Sequence, residues 1–266
     1  MTSEMSPQAA VSNGSDLPDF FSTQPKVLFT DVDDTLTCDG VLPETTYSAL
    51  HRLFKAGVVV VPVTGASAGW CDCLIKTWPI KHIIGENGAL AMLKDEQGIV
   101  TTHLATDQQT IASDMAKLRK IGVKLSEKFP VIQHTQDQPF RLTDVAFDIG
   151  QFVTVNESVA EQATQWLRRQ GVQAHRSSIH INAWLGDHSK ATGALRWLSN
   201  RNMTEKDCVF IGDSPNDESM FKHFSSSVGV ANVGRFLSSM EHVPIYVTKG
   251  KGGYGFVELA KVLLKE

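Results

Sequence analysis

The sequence predicts an α/β fold: a doubly wound parallel sheet carrying an inserted, smaller α+β segment. Three observations predict it. Short apolar runs without alternation, such as Val58–Val63 and Cys208–Ile211, suit strands covered on both faces. Helical stretches with one apolar face alternate with these runs, which is the βαβ rhythm of a parallel sheet. Between residues 89 and 184 the rhythm changes to strand pairs set between helices, and afterwards it returns.

Val27–Thr30 opens the first unit as a strand. A helix is expected from Pro43 to Lys55, with Tyr47, Leu50, Leu53 and Phe54 on one face, Pro43 at its first position and Gly57 as its stop. Val58–Val63 is the next strand, Thr64-Gly65 leads into a helix reaching about Trp78, and Ile83-Ile84 forms another short strand. Ala89–Leu93 and Ile99–Leu104 flank the turn residues Asp95–Gly98 and predict a hairpin. A helix is expected from Asp107 to Ile121, striped by Ile111, Met115, Leu118 and Ile121 and ended by Gly122. Strands follow at Arg141–Ile149 and Phe152–Val155, a helix at Glu157–Gln170, and strands at Gln173–Arg176 and Ile179–Trp184. From Ser189 a helix through Leu198 leads to the strand Cys208–Ile211, then to Ser227–Val230, Ile245–Val247 and a last helix Phe256–Leu264. The expected division is a disordered tail at 1–24, one unit at 25–88 and 185–266, and the inserted segment at 89–184.

Composition narrows the function classes. A chain of 266 residues with net charge −4 carries no basic footprint for nucleic acid. Its four cysteines make no disulfide framework, and Cys71-x-Cys73 lacks the two-residue spacer of redox or zinc pairs. No stretch approaches the ~18 apolar residues of a membrane span. The Ser- and Pro-rich start lacks the basic and apolar regions of a signal peptide. The expectation is a soluble, cytoplasmic protein with no nucleic-acid or membrane partner.

The chemistry gathers where strands end and helices begin. Asp31-Val-Asp33-Asp34-Thr35 follows the Val27–Thr30 strand, and carboxyl ends of parallel strands are where ligands bind. Like charges this close raise one another's pKa unless a cation intervenes, so Asp31 and Asp33 imply a metal or a shared proton. Thr64 ends the next strand, Asp213 and Asp217 end a third, and Lys190 stands near a helix start, where its charge opposes the helix dipole unless an anion compensates. Carboxylates for a hard cation such as Mg²⁺, a hydroxyl and an ammonium suit phosphoryl transfer, in which positioning and charge neutralisation dominate.

In this order the residues resemble the four motifs of the haloacid dehalogenase superfamily, and more narrowly its Cof-like and sucrose-phosphatase-like sugar-phosphate phosphatases. Asp31-Val-Asp-Asp-Thr looks like the first motif and Val63-Thr64-Gly65 like the second. Lys190 in His-Ser-Lys-Ala looks like the third, and Gly212-Asp-Ser-Pro-Asn-Asp217 like the fourth. The resemblance covers about residues 26–260 and implies that the insert is an α+β cap over the catalytic core. It implies a Mg²⁺-dependent phosphatase of a small phosphorylated sugar, with Asp31 the nucleophile that becomes an aspartyl phosphate and Asp33 the acid and base. It further implies phosphate contacts at Thr64, Gly65, Lys190 and Asn216, and a metal site drawn from Asp31, Asp33, Asp213 and Asp217. Three departures stand out: Asp34 replaces a usual Gly, Ala66 stands where many relatives carry Arg, and Ser214-Pro215 replaces a glycine-containing turn.

Substrate choice is expected from the cap and hinge. Alternation puts His180, Asn182 and Trp184 on one strand face, and Arg141, Glu86 and Asn87 are further candidates. Gly250-Lys-Gly-Gly-Tyr-Gly255 matches a dinucleotide fingerprint but has no acidic partner about twenty residues on, so it reads as a turn. The competing functional readings are a sugar phosphomutase of the same superfamily, a phosphate-accepting receiver, and a ligand sensor on a retired enzyme fold.

Overall fold

The computed structural model describes residues 14–19, 21, 24–177 and 179–266. The chain opens with strand β1 (Ser15–Asp16), strand β2 (Val27–Thr30), helix α1 (Glu44–Lys55), β3 (Val59–Pro62), α2 (Ala68–Thr77) and β4 (His82–Gly85). Next come β5 (Leu90–Lys94), β6 (Val100–Leu104), α3 (Gln108–Lys128), β7 (Gln133–His134), β8 (Asp144–Asp148), α4 (Glu157–Arg169), β9 (Gln173–Arg176) and β10 (His180–Trp184). It closes with α5 (Lys190–Ser199), β11 (Cys208–Gly212), α6 (Glu218–His223), β12 (Ser227–Gly229), β13 (Tyr246–Val247) and α7 (Gly252–Leu264). No helix among the described residues is long and apolar enough to cross a membrane.

Six strands form a parallel sheet in the order β1-β13-β12-β11-β2-β3. Both faces are buried, as the unalternating runs require. Leu28, Val60, Val209 and Ile211 pack on one face against α1, α2 and α7, while Val27, Phe29, Val61 and Phe210 pack on the other against α5 and α6. From β2 the chain grows to β3 on one side and later to β11 on the other. The switch point therefore lies at the carboxyl ends of β2 and β11.

A bridge between Val63 and Ile84 extends the sheet to β4, which pairs antiparallel with the β5–β6 hairpin. Leu90 and Met92 of that hairpin belong to the same apolar cluster as Leu28 and Leu50. The hairpin therefore packs with the parallel sheet. Beyond it a separate antiparallel sheet, β7-β8-β10-β9, is covered by α3 and α4 around Leu118, Phe147, Ala163 and Ile181.

Four local expectations change. Helix α3 runs on to Lys128 because Gly122 is buried in mid-helix, where a Cβ would strike the His134 ring stacked on Phe147. Phe152–Val155 is not a strand: Phe152 is exposed, and the turn before it is tied to Asp148 by the amides of Gly150, Gln151 and Phe152. Helix α7 starts four residues early, since Gly252 and Gly253 let it approach the loop around Leu36–Cys38. In the expected tail, Ser15-Asp16 pairs with Tyr246-Val247 at the sheet edge, and residues 1–13 lie outside the described residues.

Candidate active site

Strand register brings the acids together. Thr30 pairs with Ile211 on one side and Pro62 on the other, so Asp31 leaves the sheet level with Gly212 and Val63, and Asp213 and Thr64 follow one residue later. The amide of Asp31 donates to the Ile211 carbonyl at 2.9 Å, which fixes this level. The loop then wraps on the Val32 carbonyl, which accepts the amides of Leu36 and Thr37. Asp34 takes φ 57° there and its amide donates to Thr37 Oγ1 at 3.0 Å. Asp tolerates this left-handed conformation, which is why it can stand in a glycine position.

Lys190 is the first residue of α5. Ser189 caps that helix, with a reciprocal bond between its amide and Thr192. Gly88 and Gly193 let the helix start pack onto the turn at residues 86–88, because a Cβ on Gly88 would collide with the Ser189 carbonyl. The Lys190 ammonium is buried, 2.7 Å from Asp31 Oδ1 and 2.7 Å from Asp217 Oδ1. Asp217 turns its other oxygen to the amides of Asp213 and Ser214, over Gly212, where any Cβ would meet it. Asp31, Asp213 and Asp217 each offer an oxygen, and these oxygens lie within 4.8 Å of one another.

The charges do not balance locally. Burial pushes Asp31 up to about 8, Asp217 and Asp33 add to this, and Lys190 opposes it. Burial likewise holds Asp213 well above the carboxylate range, with Asp31 and Asp217 reinforcing it. The three converging carboxyl groups are matched by one buried ammonium and, at Asp213, by the half-exposed Arg235 guanidinium 3.7 Å away, so the donor set fits a hard divalent cation, for which Asp31 and Asp213 are the ligands that line the cleft. Asp33 is half-buried in the cleft, and its pKa is raised by burial and by Asp34 while Lys190 opposes.

Thr64 is buried, and its Oγ1 accepts the Ala66 amide at 3.0 Å. The Gly65 carbonyl is held from the inserted segment: Arg141 Nη1 donates to it at 3.0 Å and Asn182 Nδ2 at 3.2 Å. Arg141 is itself bound to Asp144 and Asp137. Asn87 sits at φ 54° against Gly65, its amide bonded to the Thr64 carbonyl and its Nδ2 without a partner among the described residues. Asn216 lines the cleft and accepts from Ser214 Oγ at 2.8 Å.

His180 and Asn182 line the cleft, whereas Trp184 does not. The Trp184 indole is sandwiched between His175 and His188 at 5.1 and 5.5 Å and donates to the His188 carbonyl. Glu86 does more than mark a hinge. Its buried carboxylate accepts the amides of Ala68, Leu142 and Thr143 and the Thr143 hydroxyl, joining α2 to the inserted segment. Burial, then Asp144, raises its pKa to about 7. The sequence reading missed Asn232, whose Nδ2 donates to Asp213 Oδ2 and to the Asp34 carbonyl, both at 3.0 Å. A lone Asn in an irregular stretch carries no periodic or spacing signal.

The model of the haloacid dehalogenase-like hydrolase family matches residues 28–138 and 123–240. The chain belongs to that family. It is therefore a hydrolase, of the superfamily its four motifs suggested. It is 24% identical over 240 residues to a phosphoglycolate phosphatase of Metallosphaera sedula, covering 88% of this chain and 98% of that protein. Among solved structures it is similar to a Thermoplasma acidophilum protein, with TM-score 0.72, 16% identity, and 92% of this chain and 100% of that one covered. It is also similar to the sucrose-phosphatase of Synechocystis in complex with sucrose and phosphate, with TM-score 0.66, 16% identity, and 91% and 98% covered. These structural likenesses support the fold: a parallel core with an inserted cap.

Proposed function

We propose that this chain is a Mg²⁺-dependent phosphatase that cleaves small phosphorylated sugars through an aspartyl phosphate on Asp31. The observation that carries this reading is the buried Lys190 ammonium, 2.7 Å from both Asp31 and Asp217, with Asp213 beside them. A phosphatase name on the Metallosphaera relative and a sucrose-phosphatase among the structural neighbours support it.

In this reading Asp31 attacks phosphorus, the ester P–O bond breaks, and Asp33 gives its proton to the leaving alcohol oxygen. Asp33, then a carboxylate, takes a proton from water as that water attacks phosphorus and releases Asp31. Its raised pKa suits the first of these steps. Lys190, Thr64, the Gly65 amide and Asn216 hold the phosphoryl oxygens. Asp213, the Asp31 side chain and the Asp33 carbonyl would hold Mg²⁺, with Asp217 behind them, and the ion would supply positive charge against the phosphoryl oxygens.

Asp31→Asn should abolish release of inorganic phosphate from sugar phosphates and p-nitrophenyl phosphate, with an unchanged circular dichroism spectrum. Undiminished hydrolysis by that variant would overturn the nucleophile assignment, and turnover that survives EDTA would overturn the metal. A phosphomutase would instead return the phosphoryl group to another hydroxyl of the product.

A further inference from the structure

The cleft between the parallel sheet and the cap has a volume of about 830 Å³, toward the upper end of the roughly 300–1,000 Å³ usual for small-molecule sites. Its walls differ in character. Aspartates dominate the charge: Asp31, Asp33, Asp34, Asp39, Asp137 and Asp213 all line it. Among the described lining residues the one arginine or lysine is Arg141. Its side chain is fully buried and already engaged, Nη1 with Asp144 and the Gly65 carbonyl, Nε and Nη2 with Asp137. His180 adds no positive charge near neutrality, because burial and Arg141 bring its pKa down to about 4 and Gln151 accepts or donates at its Nε2.

Aromatic surface occupies the mouth. Trp70 is 52% exposed and Phe140 61% exposed, although both stand in a concave wall. Phe140 comes from the cap and rests against Gly69 of α2, the residue before Trp70, and both aromatic side chains line the cleft. Neutral hydrogen-bonding groups line the same cleft, among them Gln136, Gln151 and Ser177.

Resting on the phosphatase reading, we infer that the cleft selects by charge: the alcohol part of the ester must carry no carboxylate and must present an apolar face to Trp70 and Phe140. Lys190 and a metal are matched to the phosphoryl group, so a second anionic group would meet mainly aspartates, the half-exposed Arg235 guanidinium being already paired with Asp34 and Asp213 at 3.7 Å from each. A sugar body meets this wall on favourable terms, its C–H face on the rings and its hydroxyls on the neutral amides. Phosphoglycolate, a two-carbon ester ending in a carboxylate, offers neither feature. This chain therefore differs in substrate from the relatives named for phosphoglycolate.

The test compares kcat/KM of the full chain with Mg²⁺ on sucrose 6-phosphate, glucose 6-phosphate, p-nitrophenyl phosphate and phosphoglycolate. Phosphoglycolate should be at least about tenfold poorer than the better sugar phosphate, a factor one uncompensated like charge readily supplies. Gln136→Arg, an exposed position, places a free guanidinium in the wall and should improve phosphoglycolate relative to sugar phosphate by about the same factor. Trp70→Ala and Phe140→Ala should each lower kcat/KM for the sugar phosphate several-fold, roughly the worth of one aromatic contact, and leave phosphoglycolate nearly unchanged. Phosphoglycolate turned over as well as the sugar phosphates, or no gain from Gln136→Arg, overturns the charge selection while leaving the phosphatase intact. Absence of turnover on every ester, p-nitrophenyl phosphate included, overturns both.

Discussion

Replacing Lys190 with Met removes the positive charge nearest three buried acids. The ammonium lies 2.7 Å from one oxygen of Asp31 and 2.7 Å from one of Asp217. At an effective dielectric of ~20, unit charges ~4 Å apart attract by about 4 kcal/mol, so the two partners together contribute about 8 kcal/mol. Desolvating the ammonium offsets several kcal/mol of this, which leaves an expected loss of about 3–5 kcal/mol on removing one member of a buried ionic cluster. In a chain of this size each kcal/mol moves the melting midpoint by ~2–4 °C, so the variant should melt roughly 10 °C lower at pH 8. The deficit should depend on pH, and its sign follows from linkage. Burial already raises Asp31 to about 8 from 3.8, and losing Lys190 raises it further. Parent and variant alike then bind more protons folded than unfolded between about pH 4 and 8 and gain stability as pH falls there, so the deficit itself changes above pH 8, widening as the parent's Asp31 ionises beside Lys190 while the variant's stays protonated and goes on losing stability. Circular dichroism melts of parent and variant at pH 8 and pH 10, both in EDTA, measure this directly. Lys190→Met combined with Asp217→Asn should recover part of the loss, since both partners are then uncharged. An equal deficit at the two pH values, with no recovery in the double variant, would refute the claim that Lys190 compensates these carboxylates.

Glu86→Gln turns one of two fully used carboxylate oxygens into an NH₂ that faces two donors, at an expected cost of ~2–4 kcal/mol. A thermal midpoint equal to the parent's would mean that Glu86 does not tie α2 to the cap. Burial holds His175 and His188, on either side of Trp184, down to about 4 against an ordinary 6.5. The unfolded chain takes up these protons first, so stability should be lost as pH falls from about 6.5 to about 4, by ~1–2 kcal/mol per histidine after allowing for partial exposure. Urea unfolding at pH 7 and pH 5 measures the loss, and a His175→Asn variant with the same acid sensitivity as the parent would rule out that residue.

Much of the parallel core was legible because its signals are local. Val27–Thr30, Val58–Val63 and Cys208–Ile211 read as doubly covered strands, and their alternating side chains do fall on two separate apolar clusters. The acids were legible for a related reason: each follows such a strand directly, so the register of Thr30 with Ile211 and Pro62 was enough to gather them. Glycines misled where packing decides. Gly122 reads as a helix stop from propensity alone, yet what sets its role is His134, a partner that only the folded chain supplies. The β5–β6 hairpin is legible as a hairpin from its turn residues, but its packing on the parallel-sheet side is not, because an apolar strand face does not say which apolar cluster it joins.

The cap shows how far alternation carries an argument about function. His180, Asn182 and Trp184 do occupy alternate positions of β10, but the groups opposite them give each a different task. Trp184 meets two imidazoles and is buried; Asn182 meets Asp144 and the Gly65 carbonyl; His180 meets Gln151 at the cleft wall. Arg141 makes the same point through charge. An arginine near a phosphate site reads as an anion ligand, yet two aspartates neutralise this one and direct it onto a backbone carbonyl. The residue beside that carbonyl is Thr64, so the same contacts that join cap to core also fix the loop expected to receive the phosphoryl group. In the proposed phosphatase reading, the position of the cap and the geometry of that loop are therefore coupled through Arg141 and Asn182, which would act on the chemistry by holding the Gly65 carbonyl rather than by touching the phosphoryl group.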